Sequence, residues 1–109
     1  MIELYDLLQR IKERPAMYLG SRSITCLNAF LNGYLGARHD MGVPRTQQEI
    51  EFEEFQEWIR KKFRITSSQS WAKIILFYSA DEREALDKFF DLFEKFLIQE
   101  KSAVKQSAT

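Results

Sequence analysis

His39-Asp40 is the only place where an imidazole stands beside a carboxylate, and Cys26 is the only thiol that imidazole could activate as a nucleophile. Helical spacing keeps the two apart. Thirteen residues on one helix turn through about 1300°, which leaves the side chains roughly 140° apart around the axis. Cys26 then reads as a small core residue and His39 as a solvent-facing residue near a helix end. With one His and one Cys, a metal site needs a carboxylate cage, and no aspartate-rich loop supplies one. Phosphate-cradling glycine patterns are absent too. The residues predict no catalytic group, metal or cofactor, and the enzymatic alternative that remains is acid–base work by carboxylates such as Asp40 or Glu57.

The residues suited to recognition fall in three stretches. Arg14 and Arg22 flank a proline-stiffened turn that contains Tyr18, a cationic rim able to hold an anion or a partner's carboxylate. Glu49, Glu51, Glu53, Glu54 and Glu57 crowd the first half of one helix, and Arg60, Lys61, Lys62 and Arg64 follow in its last turns. This polarity suits the helix dipole, and glutamates such as Glu51 and Glu54 also suit a basic partner. Ser68 and Ser70 lead into Trp71; Ser70 is a helix cap, and tryptophan serves both as core and as interface anchor.

Sixteen basic residues balance sixteen acidic ones, so no long-range field draws nucleic acid or an anionic membrane to the chain. A small regulatory or nucleic-acid-associated protein using Arg60, Lys61, Lys62 and Arg64 against phosphates is the alternative binding class. A lone cysteine and an N-terminus without the basic-then-apolar order of a secretory signal predict a cytoplasmic location. The longest unbroken apolar run, Ile74 to Tyr78, is far short of the roughly 20 residues that span a bilayer.

These residues must be positioned by helices. Leu86, Phe89, Phe90, Phe93, Phe96 and Leu97 recur at three-and-four spacing, and Ile2, Leu4, Tyr5, Leu7, Leu8 and Ile11 form an amphipathic stripe near the start. Pro15 ends that first helix near Glu13. Met17, Tyr18 and Leu19 are expected to pack back onto the bundle. Ser23 caps a second helix that ends at Gly42-Val43-Pro44, and Thr46 with Glu49 opens a third as a capping box. Gly33 and Gly36 inside the second helix predict close approach of another backbone. Trp71 to Tyr78 reads as a buried helix, with an α+β fold the alternative should it be a strand. Ser79 with Glu82 forms a second capping-box pattern before the last helix. With nine Phe among 109 residues, the core should be rich in rings. The expected fold is all-α: a compact single-domain bundle of about five helices over residues 1–100, with 101–109 a disordered tail.

Arg14 to Gly20 is similar to the Arg-Pro-Gly-Met-Tyr-Ile-Gly stretch near the start of type II topoisomerase ATPase subunits. The Asp-Asn-Gly-x-Gly segment of that ATP site does not occur, so no nucleotide-binding residue is carried over. Taken together, Arg14 to Gly20, Leu27 to Tyr34, Phe55 to Trp58 and Ser68 to Ile75 resemble small bacterial proteins, some of them like the immunity partners of polymorphic toxins. That resemblance implies a non-catalytic, cytoplasmic protein-binding module that occludes one protein partner, such as a cognate toxin. Balanced charge sets this chain apart from the strongly acidic immunity proteins that block nucleases. Arg14, Tyr18, Arg22, Glu51, Glu54, Ser68, Ser70 and Trp71 are the candidate partner-binding residues, and self-association as a homodimer stays open.

Overall fold

Six helices form in the computed structural model, which describes the backbone of residues 2–107 and the side chains of 2–101, with no strand among them. The first, α1 (Leu4–Glu13), buries Leu4, Leu7, Leu8 and Ile11, and Pro15 begins a five-residue helix α2 (Pro15–Leu19) at a position where its missing N–H costs nothing. This short helix fills the stretch expected to be a turn. Tyr18 and Leu19 pack on the core as foreseen, but Met17 is exposed, because five residues make too little helix to turn every apolar side chain inward.

Ser23 accepts from the Cys26 N–H at 3.1 Å and starts α3 (Ile24–Asp40). Thr46 accepts from the Glu49 N–H at 3.2 Å and starts α4 (Gln47–Lys62). Only half of a capping box forms there, since the Glu49 carboxylate turns inward to Arg38 at 2.7 Å and ties the end of α3 to the beginning of α4. Ser70 accepts from the Lys73 N–H at 3.2 Å and starts α5 (Trp71–Phe77), so the ambiguous apolar run is a helix. The last helix, α6 (Glu82–Ser107), is capped by Asp81 rather than Ser79: Asp81 Oδ1 accepts from the Glu84 N–H at 2.8 Å, while Ser79 Oγ donates to the Ile75 carbonyl. Its backbone enters the stretch expected to be a disordered tail; the side chains of that stretch beyond Lys101, and residues 108 and 109, lie outside those described.

Two helix ends share one geometry. At the end of α3, Val43 N–H reaches the Arg38 carbonyl and Gly42 N–H the His39 carbonyl, with Gly42 at φ 72°. At the end of α4, Ile65 N–H reaches the Arg60 carbonyl and Arg64 N–H the Lys61 carbonyl, with Arg64 at φ 55°. Both are Schellman turns, which require a left-handed residue and favour glycine there. In the second turn the residue is arginine.

The core is built on rings, as the phenylalanine count foretold. Phe55 is fully buried, and its ring centroid lies 5.4 Å from Phe96, 5.5 Å from Phe89, 5.8 Å from Phe93 and 5.9 Å from Trp71. Most of these pairs meet edge to face, the arrangement that the ring quadrupole favours. Helix α6 supplies three of them and packs on α3, α4 and α5, while α1 packs on α2 and α4. Gly33 and Gly36 do not mark a close backbone approach. A Cβ added at either would meet nothing within 4 Å, because that side of α3 faces open space.

Candidate functional site

Glu51 and Glu54 sit three residues apart on α4 and therefore share a face. Leu97 and Glu100 repeat that spacing on α6. Packing of α4 on α6 and on α1 brings the two faces together around Tyr5, and the result is a groove of about 580 Å³ lined by Tyr5, Gln47, Glu51, Glu54, Leu97, Glu100 and Lys101. The Tyr5 hydroxyl donates to Glu51 at 3.1 Å, and the Tyr5 N–H donates to Gln48 at 2.8 Å, which fixes the start of α1 against α4. Burial, together with the Glu51 carboxylate, pushes the Tyr5 phenol far above its usual range, so it remains a hydrogen-bond donor.

Glu100 is half-buried. Burial raises its pKa, as do the neighbouring charge of Glu54, a hydrogen bond to Glu54 and the charge of Glu51. Among the described residues, no lysine or arginine forms an ion pair with Glu51, Glu54 or Glu100; Lys101 shares the rim without pairing to them. Carboxylates held together without a counter-charge favour either a shared proton or a cation brought from outside. The other glutamates of α4 are engaged: Glu49 with Arg38, Glu53 with Arg45 and Glu57 with Arg60. The acidic half of the helix is thus three structural ion pairs plus the two groove residues.

The remaining candidate residues lie elsewhere. Arg14 and Arg22 are exposed, and the cleft of about 340 Å³ that includes Arg22 also carries Lys12, Glu13, Asp87 and Asp91, so the expected cationic rim is a mixed-charge surface. Tyr18 is half-buried against the core. Ser68 is exposed and Ser70 is spent on the α5 cap. Trp71 is 7% exposed, its backbone N–H donating to Gln56 at 2.7 Å and its ring 4.9 Å from Phe89, so the side chain is packed in the core. The eight residues therefore do not make one surface, and only Glu51 and Glu54 meet in the groove.

Cys26 is half-buried at the rim rather than in the core, with Ser21 Oγ at 3.5 Å. Hydrogen bonds with Ser21 and Ser23 lower its pKa. His39 is exposed about 20 Å further along the same helix, so no base serves the thiol. Asp40 is exposed, and Glu57 is exposed and paired with Arg60. No group of three His, Cys, Asp or Glu among the described residues is arranged to hold a metal ion, and no described helix is long and apolar enough to cross a membrane.

The sequence places Tyr5 and Leu97 on apolar stripes and assigns neither of them, nor Glu100, to a site. Leu97 ends the apolar stripe, and Glu100 is the last residue of the expected helical domain. The signal is the i, i+3 spacing of Leu97 and Glu100 on the last helix, opposite the Glu51 and Glu54 pair on α4. Neither a protein-family model, nor a curated protein, nor a solved structure matches this chain.

Proposed function

We propose that the protein is a non-catalytic binding module, working in the cytoplasm, that takes a basic segment of one protein partner into the groove between α1, α4 and α6. Occlusion is the mechanism: a lysine or arginine of the partner enters among Glu51, Glu54 and Glu100, its aliphatic stem lies along Leu97 and Tyr5, and the helices on either side cover the partner's working surface. The observation that carries this reading is the unneutralised carboxylate group at an open groove, in a chain whose other α4 glutamates are all paired. The resemblance to immunity partners of toxins points to a toxin as the occupant.

The test is capture from the native cell lysate at moderate salt, with the wild-type chain beside the Glu54→Gln/Glu100→Gln variant. One stoichiometric protein held by the wild type and released by the variant, with both folded by circular dichroism, supports the proposal. Equal capture by both removes the groove from the function, and capture of nothing by a folded wild type removes the binding module.

A further inference from the structure

Phe77 is 77% exposed and Tyr78 is 45% exposed at the end of α5. They belong to one array: the Tyr78 ring stacks on Phe63 of the α4 terminus at 5.0 Å and 20°, and Phe77 meets Tyr78 edge-on at 5.0 Å and 81°. Large apolar rings left at the surface are unusual enough to mark an interaction site.

Two cations adjoin the rings. Phe63 is followed by Arg64. Lys73 is four residues before Phe77 and so on the same side of α5. The nearby carboxylates are already engaged, Asp81 in capping α6 and Glu84 with Lys88 at 3.0 Å. Arg64 and Lys73 are exposed, and no carboxylate among the described residues pairs with them. The left-handed conformation of Arg64 is a further sign. The equivalent turn after α3 uses Gly42, where a side chain is not needed; at Arg64 the chain keeps a long cationic side chain at a position that disfavours one.

We infer that Phe77, Tyr78 and Phe63, with Arg64 and Lys73, form a stacking platform for single-stranded nucleic acid. Bases stack on the open ring of Phe77 and on the exposed part of Tyr78, and the two cations take backbone phosphates. Exposed flat rings favour this occupant over an acidic protein segment, which matches the cations but offers nothing to stack on an open ring face. A duplex is equally unsuited, because its bases are already stacked. The platform lies at the basic end of α4, about 15 Å along the helix from the acidic groove, so the two surfaces are separable.

The test is fluorescence anisotropy of a labelled uridine-rich RNA of about a dozen nucleotides, titrated with the full chain at low salt. The wild type should bind, with affinity falling as salt rises at a log–log slope of about −1.4 for two phosphate contacts. Phe77→Ala, which removes a side chain from solvent and not from the core, should weaken binding roughly 5- to 150-fold. Arg64→Gly should raise the Tm by about 2 to 6 °C and still weaken binding, a divergence that a purely structural arginine does not produce. Glu54→Gln/Glu100→Gln should leave RNA binding unchanged, which separates this proposal from the groove. Absence of binding by the folded wild type, equal binding of duplex or of a polyglutamate peptide, or full binding by both Phe77→Ala and Arg64→Gly overturns it.

Discussion

Single side chains in this protein do their work by crossing between helices. Glu82 accepts from Ser23 Oγ at 2.9 Å, from the Thr25 N–H at 3.0 Å and from Thr25 Oγ1 at 2.7 Å, which joins the start of α6 to the start of α3. Burial works to raise its pKa, but the hydrogen bonds from Thr25 and Ser23 outweigh it and the net shift is downward. A depressed folded-state value means that this stabilisation is present above the ordinary carboxylate range and is lost as pH falls through the folded value. Glu82→Gln should therefore cost about 1–2 kcal/mol at neutral pH, and the difference from wild type should shrink in acid; urea unfolding at several pH values measures both. Arg38 and Glu49 form a different kind of bridge, with both side chains more than nine-tenths buried. Glu49→Gln removes a charged partner from a buried arginine and should cost about 3 kcal/mol, with little relief from added salt. The sequence showed the backbone half of these roles and hid the other. Thr46, Ser23 and Ser70 were legible as caps because a cap needs only a residue two or three positions away. The partners of Glu49 and Glu82, 11 and 57 residues distant, depend on how helices pack.

Elements were the most readable scale, since apolar periodicity of 3.6 fixes both a helix and its buried face. The stripes of α1 and α6 went inward as their spacing required, and Leu86, Phe89, Phe93 and Phe96 are buried. Trp71 was ambiguous for a physical reason: burial satisfies an indole ring by the same contacts whether the other surface belongs to the protein or to a partner. Trp71→Ala should destabilise by about 3–5 kcal/mol in thermal or urea unfolding, as loss of a core ring does. Gly33 and Gly36 show the opposite failure. Interior glycines suggested a tight crossing, yet both face open space, so replacing either by alanine should add about 0.5–1 kcal/mol of stability without a clash. Calorimetry of the two single variants checks this, and a loss at either position argues that α3 needs flexibility there.

At the scale of the whole molecule, zero net charge conceals a polar arrangement. The groove carries Glu51, Glu54 and Glu100 beside the first half of α4, and the exposed rings stand with Arg64 and Lys73 near its other end. Composition averaged these away, which is why charge counting offered no site. The groove also leaves a signature in stability. Burial and the charge of Glu54 raise the Glu100 pKa, so its contribution is full below the ordinary carboxylate value and is lost as pH rises through the folded value. Glu100→Gln should abolish that component, giving the variant a relative gain at neutral pH that fades in acid, opposite in sign to Glu82→Gln. The aromatic core carries a last consequence, for synthesis. Phe55 finds its neighbours Phe89, Phe93 and Phe96 only on α6, so a nascent chain ending at α5 displays an open aromatic face with nothing to close it. Until the ribosome has delivered α6, the growing polypeptide lacks the surface that closes its core.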